Sequence, residues 1–332
     1  MADPKRILII QLKRAGDVII TTPMAEMLRR RFPQARIDFL VDPHFSIVLL
    51  NNPYLTSILR FDRRRPWKTY LEVRRNRYDW ILDFQSSPRS VPLVALSGAP
   101  VKAGYRVKFW GRFFSHAVRR PGRELMSEGK RGLLDLLADF PKGVPERRVF
   151  LTDEERRNAR ALFPPADSAP WIGLIPPHRH SSRRWPARYF ADVAARWERS
   201  GHPVALFCGP GERAYIEAIR ASIPDSKQVY VIEPDTLRDF AAALERCRLI
   251  VTNDNGPMHL AIAVGKPTVV VFGPTSPAAV LPADGRHRAM RLEGLSCLEC
   301  NLNVCPFNHE CMEQLSPATV FEASQTLLTA AQ

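Results

Sequence analysis

The chain predicts an α/β protein made of two Rossmann-like domains that face each other. Three observations point there. Its 332 residues exceed what one ordinary core holds and suit two domains of roughly 150 residues each. Short apolar runs alternate with helical stretches in both halves, which is the pattern of parallel sheets built from strand-helix-strand units. A Pro-rich segment, Phe163-Pro164-Pro165-Ala166-Asp167-Ser168-Ala169-Pro170, separates the two series near mid-chain. The expected division is therefore 1–165 and 166–332, with the last helix a candidate to pack back on the first domain.

In the first half, Ile7-Leu8-Ile9-Ile10 reads as a buried strand, followed by the loop Lys13-Arg14-Ala15-Gly16-Asp17. Thr22 then reads as an N-cap with Pro23 at the first helical position, opening a helix to about Phe32. Further strands are expected at Ile37–Val41, Ser57–Phe61 and Trp80–Phe84. Thr152 with Glu155 is a capping-box signature for a helix ending near Phe163. The second half restarts with a strand at Trp171–Ile175, a loop, and a helix from Ala187 to Ser200 closed by Gly201. Strands at Val204–Cys208, Val229–Ile232, Leu249–Thr252 and Thr268–Phe272 follow, separated by helices near 212–222, 237–247 and 257–264. Ligands of such sheets bind outside the carboxyl ends of the strands.

Net charge is +14, and it is not evenly spread. Residues 1–165 hold 32 Lys and Arg against 17 Asp and Glu, whereas residues 166–332 hold 16 against 17. A basic half concentrates an anionic partner such as nucleic acid, an anionic membrane face or a phosphorylated glycolipid; a plain solubility surface accounts for the charge equally well. A nucleic-acid-binding protein is disfavoured, because no aromatic-interleaved basic stretch, recognition-helix motif or finger spacing occurs. The N-terminus, MADPKRILIIQLKRAGD, has a short apolar run between basic residues and no small-residue cleavage site, so no signal peptide is expected. No stretch approaches the ~18 uninterrupted apolar residues of a spanning helix. A soluble, cytoplasmic protein is the expectation.

The most informative segment is Val251-Thr252-Asn253-Asp254-Asn255-Gly256-Pro257-Met258-His259, leading on to a strand that ends in Phe272-Gly273-Pro274-Thr275. A buried strand runs through a tight turn straight into a helix, so backbone N–H groups at the helix start can cradle phosphate. Gly256 lets a diphosphate approach the backbone, and His259 on the first turn can reach the same ligand. The plain alternative is Asp254 or Asn255 capping the helix, with His259 satisfied in the core. The loop His178-Arg179-His180-Ser181-Ser182-Arg183-Arg184-Trp185-Pro186 brings hydroxyls and guanidinium groups to another strand end, where Arg grips phosphate oxygens through two hydrogen bonds. Charge on a departing nucleoside diphosphate can then be stabilised without a metal, and no Asp-X-Asp pair is present to hold Mg²⁺. Asp17 is a carboxylate in the first strand-helix loop. One such group, acting as general base on an acceptor hydroxyl, suffices for direct displacement with inversion.

These pieces occur together and in order. Gly16-Asp17-Val18-Ile19, Arg184-Trp185-Pro186, Asp254-Asn255-Gly256-Pro257-Met258-His259 and Phe272-Gly273-Pro274-Thr275, with the stretch Leu96–Tyr105, resemble the signatures of glycosyltransferase family 9, the ADP-heptose:lipopolysaccharide heptosyltransferases. The resemblance spans nearly the whole chain. It implies the GT-B fold, with a basic acceptor-binding first domain and a nucleotide-sugar-binding second domain. It also implies metal-independent, inverting transfer of L-glycero-D-manno-heptose from ADP-heptose to the lipopolysaccharide inner core, with no cofactor. Asp17 stands as the base, and Asp254, Asn255, Gly256 and His259 as donor contacts. Arg183 stands where relatives often carry a phosphate-binding Lys, and Glu212 is a candidate ribose contact that also suits a helix start. Inner-core sugars carry carboxylates and often phosphates, so Arg63, Arg64 and Arg65 are the acceptor candidates; Arg89 and Arg106 are weaker ones, and a solvated Arg face is the alternative. A glycolipid acceptor implies peripheral contact with the cytoplasmic face of the inner membrane.

Four of the six cysteines fall in Cys297-x2-Cys300-x4-Cys305-x5-Cys311. Four thiolates so spaced can meet one ion, with His309 as a substitute ligand, so a structural zinc or iron is a candidate; reduced free thiols are the alternative. Three further alternatives stand beside the leading function. They are a related transferase using another nucleotide sugar or a protein acceptor, a nucleotide-sugar epimerase, and the disfavoured nucleic-acid binder.

Overall fold

In the computed structural model, which describes residues 3–120, 125–164 and 170–330, the chain divides into two compact units, Met1–Phe150 and Leu151–Gln332. The first unit runs β1 (Arg6–Ile10), α1 (Ala15–Arg31), β2 (Arg36–Val41), β3 (Ser57–Arg60), α2 (Pro66–Arg75), β4 (Trp80–Asp83), α3 (Val91–Leu96), β5 (Val101–Tyr105), β6 (His116–Val118) and α4 (Met126–Asp135). Its strands lie in the order β3-β2-β1-β4-β5-β6, and every pairing is parallel. Ile7 to Ile10 are wholly buried, as continuous apolar strands are when helices cover both faces of a sheet. α1 packs with α4, whereas α2 and α3 pack together.

Helix α1 begins at Ala15, eight residues before the expected first helical position, Pro23, which lies inside it. An interior proline displaces the carbonyl four residues back. Here that carbonyl belongs to Ile19, and it accepts the Thr22 hydroxyl at 2.8 Å. Burial of Val18 through Met24 then carries the helix straight through the expected start at Thr22-Pro23. Asp17 consequently lies in the first turn of a helix, where negative charge is favoured, and not in a loop.

The second unit runs α5 (Asp153–Ala161), β7 (Trp171–Ile175), α6 (Ala187–Arg199), β8 (Val204–Phe207), α7 (Arg213–Ala221), β9 (Val229–Ile232), α8 (Leu237–Glu245), β10 (Cys247–Asn253), α9 (Gly256–Ala263), β11 (Thr268–Val271), α10 (Pro277–Val280), β12 (His287–Met290), α11 (Glu310–Glu313) and α12 (Pro317–Ala330). Its sheet order, β12-β11-β10-β7-β8-β9, is the first unit's order read from the other edge. Each sheet therefore reverses strand order once, between β1 and β4 and between β7 and β10. Crevices outside the carboxyl ends of strands open at such points.

The division falls at 150/151 and not at 165. Helix α5, closed by its Thr152–Glu155 capping box, packs on α8. Arg156 Nε lies 2.7 Å from Glu245 Oε2, and Arg238 pairs with Glu155. The Pro-rich residues 165–169 lie outside the described residues. Moving residues 151–165 carries three cations and three carboxylates with it, so the charge asymmetry is unaffected. The last helix, α12, lies against α6 and β10 to β12 of its own unit, with Val320, Leu327 and Leu328 in that core. Among the described residues, no helix is long and apolar enough to cross a membrane.

Candidate active site

In the second unit the reversal point between β7 and β10 gathers the residues singled out in the sequence. Asn255 caps α9, its Oδ1 accepting the Met258 N–H at 2.9 Å, and its Nδ2 donates to Pro177 O at 3.1 Å. The amide nitrogen thus joins the turn to the β7 loop. Buried Asn253 does the same, donating to Pro176 O at 2.7 Å and accepting the Trp185 N–H at 3.0 Å. Pro257 has no N–H, and the Gly256 N–H has no acceptor among the described residues. A Cβ built on Gly256 meets nothing within 4 Å, so the space over this helix start is open to a ligand.

Asp254 is nearly buried, and its Oδ2 accepts the Thr275 hydroxyl at 2.6 Å and lies 3.5 Å from Arg183 Nη1. Arg183 Nε is buried without a hydrogen-bond partner. A desolvated donor of this kind costs about 1–3 kcal/mol, a cost that an anion at the site would remove. His178, not singled out in the sequence, bridges the two loops: its Nδ1 accepts the His180 N–H at 2.9 Å, which leaves Nε2 to donate to Asp254 O at 2.7 Å. Burial, ahead of the opposing bond to Asp254, holds its pKa below the ordinary value, in keeping with this neutral tautomer. His259 is buried on the first turn of α9. Glu212 precedes α7, and its Oε2 accepts the Gly209 N–H at 2.8 Å, which holds the carboxylate at the strand end.

The cysteine segment braces these loops. Asn301 N–H donates to Pro274 O at 2.7 Å, and Ser182 Oγ donates to Leu302 O at 2.7 Å. All four thiols, Cys297, Cys300, Cys305 and Cys311, are free. The Cys311 thiol is pushed up to about 11, first by burial and then by Cys305, Cys297 and Cys300. Among the described residues no three His, Cys, Asp or Glu side chains are placed to hold a metal ion. A Cβ on Gly273 would sit 2.7 Å from Cys311 Sγ and 3.1 Å from Met312 Cε. Gly273→Ala is therefore expected to destabilise the fold by about 1–3 kcal/mol, read as a lower urea midpoint. An unchanged midpoint would show that the brace yields freely.

At the reversal point of the first unit, the carboxyl ends of β1 and β4 meet Asp17 and Lys130. Among the described residues the Asp17 carboxylate has no hydrogen-bond or ion-pair partner. Lys130 Nζ is buried, donates to Gln11 Oε1 at 2.9 Å and lies 5.3 Å from the Phe84 ring centroid. Gln85 Oε1 accepts the N–H groups of Leu12 and Lys13 at 2.8 and 2.9 Å, which fixes the approach to Asp17. Asp83 is pushed up to about 6 by burial. Arg63 pairs with Asp42, whereas Asp62 Oδ1 accepts the backbone N–H groups of Arg64 and Arg65 at 2.8 and 3.0 Å, leaving both of those side chains exposed. Arg89 is exposed, and Arg106 Nε donates to Ala117 O at 3.2 Å.

Burial pushes Lys130 down to about 8, against the opposing attraction of Asp17. Because the folded value lies below the ordinary 10.5, the folded protein binds fewer protons than the unfolded chain between the two values, and this group makes stability rise with pH across that window. Below about 8 the full penalty is present. Lys130→Met is thus expected to raise stability at pH 7 by up to about 3 kcal/mol, with the gain shrinking towards pH 10. Denaturant unfolding at both pH values checks this; a loss of stability at pH 7 would mean that the Gln11 bond and the Asp17 attraction outweigh burial.

Residues 67–310 match the model of glycosyltransferase family 9 (heptosyltransferase). The chain belongs to that family. This glycosyltransferase is 32% identical to lipooligosaccharide heptosyltransferase 2 of Campylobacter jejuni, over 94% of its own length and 95% of the relative's. Among solved structures, a family 9 glycosyltransferase from Veillonella parvula superposes with a TM-score of 0.86 at 25% identity, covering 98% of this chain and 97% of that one. The E. coli ADP-heptose lipopolysaccharide heptosyltransferase II gives 0.82 at 23% identity, covering 98% and 99%, which extends the likeness of fold. Both sheets thus belong to the architecture expected of a GT-B enzyme. Arg183, Glu212 and the Asp254–His259 turn of the glycosyltransferase lie inside the matched residues, whereas Asp17 and Arg63 to Arg65 precede them.

Proposed function

We propose that this glycosyltransferase moves L-glycero-D-manno-heptose from ADP-heptose to the inner core of lipopolysaccharide, with inversion and without a catalytic metal. The observation that carries the reading is the buried, unpartnered Nε of Arg183, set beside Asp254 and the open α9 start at the β7/β10 reversal point. That is an anion site lined by a fixed cation and backbone dipole, the combination that stabilises a departing diphosphate. Arg183, Gly256 and His259 hold the donor's diphosphate side, Glu212 takes a hydroxyl of its ribose, and Asp254 and Asn255 fix the turn and loop that form the cradle. Asp17 accepts the proton of the attacking hydroxyl, and Arg63, Arg64 and Arg65 bind the anionic acceptor. The relatives' names supply heptose and lipopolysaccharide or lipooligosaccharide. Such an acceptor places the enzyme at the cytoplasmic face of the inner membrane, bound peripherally. The test is turnover in excess EDTA with the anomeric configuration of the product read by NMR. Undiminished turnover with inverted configuration is expected; loss of activity restored by a divalent ion, or retained configuration, would overturn the mechanism.

A further inference from the structure

Among the described residues of the first unit five large apolar side chains are exposed, and four of them lie on one layer. They are Trp67 and Leu71 of α2, Leu96 of α3 and Phe109 just before the 3-10 turn Gly111–Phe113, with exposures of 55%, 48%, 53% and 72%. The layer is continuous. α2 packs on α3, α3 packs on the 3-10 turn, and Arg74 Nη1 donates to Leu96 O at 3.1 Å. Tyr70, Trp110 and Phe113 turn inward on the same core cluster as Val73 and Val94, which anchors the layer to one face of the sheet. On α2 the inward residues are Thr69 and Val73, so Trp67 and Leu71, one turn apart, project to the opposite side.

Charge decides what this surface fits. Apart from the acceptor candidates Arg63 to Arg65, residues 66–77 and 106–112 hold seven Lys and Arg against one Glu. A second copy of the chain would bring like charges together, and an apolar protein partner would leave the cations unpaired. Indole and phenyl rings beside cationic side chains suit the boundary between lipid headgroups and acyl chains, and anionic headgroups attract Lys and Arg held near them. Leu71 and Leu96 have no π-face for stacking on a nucleic-acid base, whereas acyl chains accept them.

We propose that the outer side of the α2–α3 layer docks on an anionic membrane surface, Trp67 and Phe109 entering the interface while the flanking cations contact lipid phosphates. The proposal rests on the lipid-borne acceptor inferred above, since it places the first unit against the leaflet that carries it. The test is co-sedimentation of the full chain with acceptor-free vesicles of phosphatidylglycerol and phosphatidylcholine, against phosphatidylcholine alone. Turnover on a water-soluble, deacylated acceptor is followed in parallel. Wild type is expected to sediment with the anionic vesicles only, and less so as salt rises. Trp67→Ala with Phe109→Ala should weaken that partitioning at least about 10-fold and leave soluble turnover within about 2-fold, because neither side chain is among the residues assigned to donor, acceptor or base. Failure of wild type to sediment at low salt, equal sedimentation of the double variant, or a matching loss of single-stranded RNA binding in place of vesicle binding would each overturn the proposal. Vesicle binding that persists with no turnover on any acceptor would remove the acceptor reading and keep the surface.

Discussion

Asp17→Asn is expected to lower turnover by at least about 100-fold while ADP affinity stays nearly unchanged, as removal of a general base should. The carboxylate lies in the first turn of α1, at the β1/β4 reversal point, with no hydrogen-bond partner among the described residues and with the Lys130 ammonium within electrostatic range. Asn keeps the size and loses the basicity. The fold should notice little, because a carboxylate at a half-buried helix start contributes at most about 2 kcal/mol. Single-turnover kinetics with preformed donor complex, alongside calorimetric ADP binding, separates chemistry from affinity. Near-normal turnover would leave Asp17 the modest role of a charge placed well for its own helix.

Arg183→Met should be as damaging for a different reason. Losing one preorganised donor to developing negative charge costs about 10²–10³ in turnover, and the donor's KM should rise because the same cation meets the ground-state diphosphate. The loop itself should persist. Arg184 Nη2 donates to His178 O at 2.6 Å, and the buried Trp185 ring donates from Nε1 to Leu315 O at 3.1 Å, so neighbouring anchors hold it without Arg183. Arg183→Lys discriminates charge from shape: it keeps the cation and loses the planar fork. Recovery of most activity by Lys would assign the effect to charge, and recovery of none would assign it to bidentate geometry. Unchanged turnover in Arg183→Met would reduce Arg183 to a loop contact with Asp254.

Most of the fold was legible because parallel strands buried on both faces leave continuous apolar runs. Ile7–Ile10 and Trp171–Ile175 are examples, and they alternate with helices whose punctuation is local. The Thr152–Glu155 box is a sequence signal and a pair of hydrogen bonds in the structure. What escaped depends on contacts made far along the chain. β5 was not anticipated because Val-Lys-Ala-Gly-Tyr has no apolar run, and its Gly104 is there because the Phe114 ring occupies the place of a Cβ, 2.3 Å away. The early start of α1 was hidden by Thr22-Pro23, which reads as a cap and first helical position, whereas the carbonyl the proline displaces is answered inside the helix by a single side-chain bond. At the site, the Asp254–His259 turn was visible because a strand, a capping residue and a proline fall within a few positions. His178 was not, since nothing near it in sequence shows that its ring joins two loops 76 residues apart. Lys130 was not either: Ser127-Glu128-Gly129-Lys130-Arg131 reads as a solvated helix start, and only packing of α4 on α1 buries the ammonium.

The central claim, transfer of heptose to a lipopolysaccharide core, is tested most directly by incubating the protein with ADP-heptose and a set of truncated core lipids and weighing the lipids by mass spectrometry. The account predicts a mass gain of one heptosyl residue on at least one acceptor, with stoichiometric release of ADP. No gain on any acceptor, or conversion of the nucleotide sugar with no acceptor present, would contradict it.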